Sequence, residues 1–538
     1  MEYSSDFCTK LNTRIEQLGL YRPKTVARYE PGTELVYDFE PIGSGQKLQL
    51  KLSIEKFVGG GFAGQVYKVK ILELDKPQLC NDLQVGSSYA MKILVPPSGF
   101  SKLFRNALYW VGFGGPFQLQ VNPAAAKAGA LWQKFIRRAA KIKFGNEKCV
   151  VNIYGTLIDE NIGSCGEISE WIQGRTWRLE VDEHIDLLRK WKKQLVVDQD
   201  KIGSPEYRSK YVFMHEFVNM LHEMGAHEFA RQYEWTTAKS QPNCLKRLET
   251  NSEPDKGLTA VDFRAGLVLL PMLPMSPGDF KLIGQGIKRG SWVQFDRGDL
   301  NKLKIFIDNH KDDFSDMTDL YNQLVEAEDI YRNSVPDVSH NGSRLFTSGK
   351  LWSTIFDSAA IGWKVQNIID EKSFEKLRAS KLKTFIFFLI GIIPILGRAV
   401  RKLWCHQDWR KHYVSLLTNF QYFKKAVHAK ILEMLVNWHR SGRISEEKGE
   451  LLANQRWRIM YHLPFLLLIL PFLHRFLTDW QFVKEKLYFL IINPVKLYFT
   501  ANLRKQWLLD MVEEGKAKHI LTEEDANVIV SQVDEPFI

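Results

Sequence analysis

Alternating apolar and polar residues mark the first structured part of the chain. Between residues 34 and 54, two such stretches separated by a turn at 43–45 are typical of half-buried antiparallel strands. The alternation continues through 56–69, where glycines interrupt it, and resumes at 89–94. The pattern therefore predicts a small region of consecutive short strands.

Longer stretches with helical periodicity follow these strands. A proline opens the first of them, at 123–144, in the first-turn position that suits proline, and basic residues fill its last turns. Strand-like runs return at 150–155 and 164–171, and amphipathic helices are predicted at 184–199 and 209–224. The order predicts an α+β chain in which a β-rich lobe with one helix precedes a helical lobe.

Beyond about residue 345 the apolar residues gather into three runs, at 384–397, 463–473 and 487–500. The runs are about 11–17 residues long, shorter than the ~20 residues needed to span a bilayer. Lysine, arginine and tryptophan residues flank the first two runs, as in segments at a membrane–water interface. We interpret region 346–538 as all-α and membrane-associated. A helical bundle that hides these apolar faces internally is the alternative.

Two segments of this region resemble each other. Residues 394–398 and 471–475 share the pattern proline, two apolar residues, glycine or histidine, then arginine, and they lie about 77 residues apart. Downstream, Ser445 and Thr522 each fit a helix N-cap that is followed by acidic residues. This similarity predicts an internal tandem repeat of roughly 75 residues, which duplicates a helical unit.

Composition narrows the functional classes. The 538-residue chain carries a formal net charge of +11 and a pI of about 9.1, which favours anionic partners such as nucleotides and acidic lipid headgroups. Much of the excess follows residue 381, beside the apolar runs, and no aromatic-basic motif points to nucleic acid. The six cysteines form no CxxC pair, and no secretory signal opens the sequence. We expect reduced thiols and a location on the cytoplasmic side of a membrane.

The glycine-rich segment 56–69 carries the strongest candidate chemistry. Gly59, Gly61 and Gly64 would leave backbone N–H groups open to phosphate, because glycine has no Cβ in the way. On a neighbouring strand, Lys92 points inward in this interpretation and would supply positive charge for the α- and β-phosphates. The pattern predicts a nucleotide-binding site.

The order of these motifs resembles that of the protein-kinase-like superfamily over residues 50–300. The resemblance implies a two-lobed fold with ATP and Mg²⁺ as ligands. An extension at 1–33 would precede a β-rich lobe and hinge at 34–180 and a helical lobe at 181–345. By similarity, the residues around ATP are Gly59, Gly61, Gly64, Val66, Ala90, Lys92, Glu170 and Ile172, with Ser169 at the gatekeeper position. The backbones of Glu170 and Ile172 would hydrogen-bond adenine.

Two further motifs resemble the metal-binding elements of that family. Asn243 ends a segment that resembles the catalytic loop, and Asp262 stands in a sequence similar to the Asp-Phe-Gly element, with Arg264 in place of glycine. By the resemblance, Asn243 and Asp262 would ligate Mg²⁺, which prefers oxygen ligands. Lys92 and Asp262 would be catalytic residues.

Two departures from the family bear on catalysis. The position of the catalytic aspartate is Ala238, and Glu234 is the nearby substitute that would act as the base. No acidic residue lies between Lys92 and residue 146, so the helix at 123–144 offers the lysine no partner. Asp262 or a bound nucleotide would take that place.

We therefore expect ATP and magnesium binding, with phosphate transfer to a lipid or small-molecule acceptor, or ATP hydrolysis, at a membrane face. The alternative from another class is a pseudokinase scaffold that binds nucleotide or a protein partner through its C-terminal helices without catalysis. A short segment after Asp262 leaves little platform for a protein substrate. Turnover of Mg·ATP separates the two hypotheses.

Overall fold

The computed structural model describes residues 3–23, 26–60, 64–95, 103–107, 119–175, 205–230, 233, 243–263, 277–290, 297–391, 393, 396–462, 471–521 and 523–533. The chain divides into two compact units. The barrel unit comprises Lys24–Trp177 and Ile202–Gln407, and the helical unit comprises Met1–Pro23, Arg178–Lys201 and Asp408–Ile538. The helix predicted at 184–199 lies outside the described residues.

Six antiparallel strands form a closed barrel in the barrel unit, in the order β1-β2-β3-β4-β6-β5. The strands are β1 (Glu34–Pro41), β2 (Leu48–Gly60), β3 (Gln65–Leu74), β4 (Ser88–Ile93), β5 (Ile153–Asp159) and β6 (Ser164–Glu170). The register of β1 against β5, with Phe39 opposite Leu157, closes the sheet.

Apolar side chains at alternate positions fill the barrel. They include Leu50, Leu52, Tyr67, Val69, Met91 and Ile168. At the closure, a Cβ on Gly155 would lie 2.4 Å from both the Glu40 carbonyl oxygen and the ring of Phe39. Glycine is therefore the residue that lets β1 and β5 come close enough to pair.

This closure shows that the predicted two-lobed protein-kinase-like fold is wrong: six strands closed on themselves are a barrel. Alternation predicted the strands, but it says nothing about whether the first strand pairs with the fifth. The predicted inward direction of Lys92 is also wrong. β4 turns Met91 and Ile93 into the barrel, and because successive side chains alternate, Lys92 lies on the outer face.

The helices of the barrel unit enclose a second apolar core. The helix Pro123–Phe144 is confirmed: the side chain of Asn122 accepts two backbone N–H groups at its start, and Gly145, with φ 69°, ends it. Its buried face includes Trp132 and Phe135. The unit's other helices are 103–107, Pro205–Glu223, His227–Ala230, Pro277–Arg289, Leu300–Asn309, Thr318–Asn333, Val338–Asn341, Arg344–Thr347, Gly349–Val365, Glu371–Arg378, Lys381–Gly391 and Leu396–Cys405.

A small antiparallel sheet lies beside this core. Its strands are β7 (Gly174–Arg175), β8 (Cys244–Arg247) and β9 (Leu258–Ala260), in that order. The Val151 N–H donates to the Ala260 carbonyl (3.1 Å), and Val150 forms a parallel bridge with Ala260. The end of β9 is thereby tied to the chain that enters β5.

The second unit is helical. Its helices are Ser5–Gln17, Gln407–Thr418, Phe420–Arg440, Glu446–Asn454, Ile459–His462, Pro471–Thr478, Trp480–Leu487, Asn493–Phe499, Ala501–Ala517 and Glu523–Val533. Phe7 and Leu11 of the first helix pack in one cluster with Leu435 and Ile444. Among the described residues of the chain, no helix has both the length and the apolar content needed to cross a bilayer.

Two helix–turn–helix segments in the helical unit share one turn geometry. Gly442, after Phe420–Arg440, and His519, after Ala501–Ala517, both have positive φ, 73° and 55°. In each turn the next residue's N–H returns to the last helical turn, from Arg443 to Trp438 and from Ile520 to Gly515, both at 2.8 Å. This is the Schellman arrangement of a helix end. The two helices therefore end in the same way.

A buried histidine pair lies in the helical unit. Nδ1 of His462 and Nε2 of His474 are 3.2 Å apart, at hydrogen-bonding distance, and the two residues are 2% and 0% exposed. Burial and, more weakly, the neighbouring His474 together lower the pKa of His462 to about 4. Burial also lowers the pKa of His474. The pair is therefore neutral at pH 7.

Acid should destabilise the helical unit through this pair. The folded pKa of His462, about 4, lies below the ordinary 6.5, so the unfolded chain binds a proton that the folded chain does not. The stability that the neutral His462 contributes is fully present above pH 6.5 and is lost as pH falls toward 4. When the pH has fallen to about 5, the free energy of unfolding should be lower by about 2 kcal/mol. The apparent Tm of wild type should fall more steeply across this range than that of His462→Gln, and parallel curves would contradict the prediction.

Candidate functional site

Lys92 lies on the outer face of the barrel between two neighbouring strands. Val66 of β3 stands opposite it in one ladder, and Glu167 of β6 stands opposite it in the other. Directly opposed residues share a face of the sheet, and so does Ala90, two residues earlier in β4. Lys92 is 8% exposed and Glu167 is 7% exposed. A lysine and a carboxylate are thus buried side by side.

The ammonium of Lys92 contacts the carboxylate of Asp262, which comes from a distant part of the chain. Nζ donates a hydrogen bond to Oδ1. The lysine side chain is 10% exposed, whereas the aspartate side chain is 35% exposed. The lysine is therefore enclosed, and the carboxylate remains reachable from solvent. Of the two partners that the sequence left open for Lys92, the structure shows Asp262.

The backbone around Asp262 is held from both sides. Asp262 has φ 66°, in the left-handed region that aspartate tolerates better than most residues. On one side, the Tyr233 hydroxyl donates to the Val261 carbonyl (2.7 Å). On the other, the ring of Phe263 lies 5.2 Å from that of Tyr233. These contacts hold the conformation that directs the carboxylate to Lys92.

The hydroxyl of Tyr233 is buried close to charged side chains. Burial raises the pKa of Tyr233 well above its ordinary value, and the charges of Asp262 and, more weakly, Glu167 raise it further. The hydroxyl therefore stays protonated and remains a donor to the backbone. Glu167 and Asp262 both lie beside Lys92, so the three charges form one region.

Asn243 lies next to this region along the small sheet. The Val261 N–H donates to the Asn243 carbonyl (2.8 Å), which extends the pairing of β8 with β9 by one step. Val261 is thus the residue opposite Asn243, and Asp262 follows one position later in the chain. An amide and a carboxylate oxygen are the donors that Mg²⁺ accepts. In the part of the chain that the structure describes, no group of three or more His, Cys, Asp or Glu side chains could hold a metal.

Glu167 is the residue that the sequence reasoning missed. The search for an acidic partner covered the helix after Lys92, but the acid lies on the neighbouring strand β6. The sequence could have indicated Glu167. The resemblance placed Ser169 at the nucleotide, and Glu167, two positions earlier on the same strand, has its side chain on the same face of the sheet.

The structure requires glycine at one position of the glycine-rich turn. β2 and β3 stay paired as far as Gly60. A Cβ on Gly64 would lie 2.5 Å from the Ile93 carbonyl oxygen, so glycine is needed there for the approach to β4. A Cβ on Gly59 would meet nothing within 4 Å, and Gly61 lies outside the described residues. The space beside Gly59 is therefore open.

The residues predicted to bind adenine are already engaged in part. The N–H of Glu170 donates to the Asn152 carbonyl (2.8 Å), and its carboxylate pairs with Nη1 of Arg247 (2.7 Å). Ile172 is 7% exposed and belongs to the apolar core around the helices. The N–H of Glu170 is therefore already used within the sheet.

The predicted catalytic base lies outside the described residues. This applies to Glu234, to Ala238 in the position of the family's aspartate, and to Arg264 after the Asp-Phe pair. The site that the described residues form consists of Lys92, Asp262, Asn243, Glu167 and Tyr233. It brings together one cation and two carboxylates, and the base that the sequence assigned is not among the described residues.

A cavity of about 700 Å³ lies elsewhere in the barrel unit. Neither Lys92 nor Asp262 lines it. Its walls carry three ion pairs, Arg289 with Glu228, Arg297 with Asp337 (2.7 Å) and Arg332 with Glu328 (2.8 Å). Because these charges neutralise one another in pairs, we assign them to the packing of the helices.

Comparison of the chain with protein-family models, with curated proteins and with solved structures finds no match. The site geometry therefore carries the functional argument.

Proposed function

We propose that this protein binds Mg·ATP at the Lys92–Asp262 pair. The observation that carries the proposal is their contact, in which an enclosed lysine meets a carboxylate that solvent can reach. An ordinary structural ion pair needs neither the exposed carboxylate nor the left-handed backbone of Asp262. The order of glycine-rich turn, lysine, asparagine and aspartate, which resembles the protein-kinase-like superfamily, supports the proposal.

Lys92 would hold phosphate oxygens. Burial between β3 and β6 removes water from the ammonium, so its attraction for an added anion is stronger than it would be in bulk solvent. Glu167 lies opposite Lys92 in the ladder and would keep the ammonium in place when Asp262 turns toward a metal. The open space beside Gly59 would admit the phosphates to the turn.

Asp262 and Asn243 would hold magnesium. Asn243 lies opposite Val261, just beyond the paired residues of β8 and β9, and Asp262 follows Val261; the two side chains offer one amide and one carboxylate oxygen. Magnesium, when bound, would neutralise the charge on the phosphates and take its remaining ligands from them and from water. Tyr233, through the Val261 carbonyl, would keep Asp262 aligned.

The reaction that fits these parts is transfer of the γ-phosphoryl group to a hydroxyl of a lipid or small molecule, or to water. The bond from the γ-phosphorus to the bridging oxygen breaks, ADP leaves, and the acceptor oxygen forms the new bond. The proton of the acceptor must go to a base. The sequence supplies Glu234 for that role.

A nucleotide-binding scaffold without turnover is the second candidate. The observation that favours it is Ala238, which stands where the resembled family has its catalytic aspartate. Such a protein would use the same Lys92–Asp262 contact to bind nucleotide and would present its helices to a partner.

A thermal-shift titration tests the binding site. Wild type should gain a few degrees in Tm with ATP and magnesium, since a ligand at about 100 times its Kd adds about 2.7 kcal/mol to stability. Lys92→Met should lose this gain. Lys51→Met is the matched control, because Lys51 is a barrel lysine that pairs with Glu34 (3.2 Å). Absence of any shift in wild type would contradict nucleotide binding.

Release or transfer of labelled γ-phosphate then separates the two candidates. Turnover that requires magnesium supports the transferase or ATPase. A clear thermal shift without turnover, in the presence of lipid and small hydroxyl acceptors, supports the scaffold.

A further inference from the structure

A continuous helical segment in the helical unit exposes apolar side chains on all sides. The helix Trp480–Leu487, a π-helical turn at Tyr488–Ile492 and the helix Asn493–Phe499 follow one another without a gap. Six consecutive apolar or aromatic residues are exposed: Leu487 43%, Tyr488 47%, Phe489 57%, Leu490 66%, Ile491 58% and Ile492 45%. Six residues exceed the 3.6 of one helical turn, so the exposed surface runs around the whole circumference.

The start of the same segment is packed into the unit. Phe482 and Val483 are 8% and 7% exposed, and the side chain of Asp479 caps the helix by accepting the Phe482 N–H. The segment is therefore held at its beginning while its middle stays uncovered. Exposure of this extent on an anchored helix is a sign of a binding surface.

Basic side chains surround the apolar middle. Lys484 lies 5.9 Å from the ring centre of Trp480, and Lys486 lies 5.7 Å from that of Phe489. Beyond the middle, Nζ of Lys496 donates to the Tyr488 hydroxyl (3.0 Å). Within residues 480–499 the sequence contains these three lysines and one acidic residue. The ends of the apolar surface are thus positively charged.

The shape of this surface decides its occupant. A protein groove covers one stripe of a helix, typically the positions spaced three and four residues apart. Here successive positions are exposed, and a groove would leave half of them in water. Acyl chains surround an inserted segment on every side, and anionic headgroups complement the lysines at its ends.

We propose that the exposed middle of this segment, residues 487–492, inserts into one leaflet of a membrane that contains anionic lipids. The six exposed residues extend at most about 9 Å along the helix axis, which is too short to cross both leaflets. The lysines stay at the headgroups, where their long side chains reach outward. The inference uses only the helical unit and does not depend on the proposed nucleotide site.

The geometry also distinguishes the three apolar runs of the sequence. Run 384–397 buries Thr384 and Phe387 and exposes Phe385 (43%), Ile386 (40%) and Leu389 (45%), so its helix is covered on one side. Most of run 463–473 lies outside the described residues. Run 487–500 exposes six consecutive residues, and this surface fits lipid on every side.

Vesicle flotation with the full chain and no nucleotide tests the insertion. Phosphatidylcholine vesicles that contain phosphatidylserine should carry wild type, and vesicles of phosphatidylcholine alone should carry much less. Leu490→Glu should weaken the binding about tenfold, because a buried leucine contributes more than that. Leu417→Glu, at another exposed leucine of the same unit (89%), is the matched control and should bind as wild type does.

The charge contribution is tested separately. Lys484→Gln and Lys486→Gln should each weaken binding to the anionic vesicles about fivefold and leave far-UV circular dichroism unchanged. Failure of wild type to float, or equal losses in Leu490→Glu and Leu417→Glu, would overturn the proposal. It would also be overturned by a wild-type dimer that ignores vesicles and dissociates in Leu490→Glu, because the surface would then join two copies of the chain.

Discussion

Asp262→Asn should abolish the magnesium-dependent part of ATP binding. The amide keeps the size of the side chain and tolerates the positive φ of this position, but it removes the charge that holds the metal and contacts Lys92. We expect the affinity for Mg·ATP to fall at least about tenfold and any turnover to fall about 10²–10³-fold, as when a preorganised electrostatic contact is lost. Titration calorimetry with ATP, with and without magnesium, measures the first effect.

The control for this variant is Asp255→Asn. Asp255 is an exposed aspartate in the connection between β8 and β9, close in sequence to Asp262. It should bind Mg·ATP as wild type does. If Asp262→Asn and wild type respond equally to magnesium, the Lys92–Asp262 contact is a structural ion pair and the metal site lies elsewhere.

Asp159→Ala should remove about 3–5 kcal/mol from the stability of the barrel unit. Asp159 is 0% exposed and accepts three hydrogen bonds, from the hydroxyls of Tyr29 (2.7 Å) and Tyr37 (2.5 Å) and from the Ile162 N–H (2.7 Å). Alanine would leave all three donors buried without an acceptor, and each such group costs about 1–3 kcal/mol. Urea denaturation followed by tyrosine and tryptophan fluorescence measures the loss.

Two further variants define the cause. Asp159→Asn retains an acceptor for the tyrosine hydroxyls and should lose less than half as much. Asp38→Ala, at an exposed aspartate of β1, should change stability by less than about 1 kcal/mol. Equal effects of Asp159→Ala and Asp38→Ala would contradict the role of the buried hydrogen bonds.

The pH dependence of Asp159 has a definite sign. Burial raises the pKa of Asp159, and the hydrogen bonds from Tyr37 and its neighbours oppose the rise without cancelling it. The folded chain therefore retains a proton over a pH interval in which the unfolded chain has lost it. The stability that this carboxyl contributes falls as pH rises through that interval, and Asp159→Asn should not show the fall.

The candidate site was accessible to sequence reasoning only in part. Lys92 and Asp262 were named from their motifs, and their contact was one of two alternatives for the lysine. Glu167 was missed because a partner across a strand pair depends on register, and the sequence does not state which residue of β6 faces Lys92. The charge on Glu170 was likewise taken by Arg247, which lies 77 positions away in the chain.

In the apolar runs, too, the sequence predicts some features and leaves others to the tertiary structure. Their hydrophobicity and basic flanks could be read from the chain. Which residues of each run would be covered could not be read from the sequence. Leu490 is 66% exposed and Phe387 is 0% exposed, although both stand in apolar runs, because coverage depends on neighbours that come from other helices.

The sequence by itself determined the local structure of this protein: alternation predicted the barrel strands, helical periodicity predicted Pro123–Phe144, and the motifs identified Lys92 and Asp262. Tertiary structure alone decided the closure of β1 on β5, the outer face of Lys92, the neighbouring Glu167 and the exposure of residues 487–492. The physical reason is the distance along the chain that separates the interacting residues. Periodicity reflects the geometry of one strand or helix, whereas closure, register and burial depend on contacts between segments far apart in the chain, such as Gly155 against Phe39.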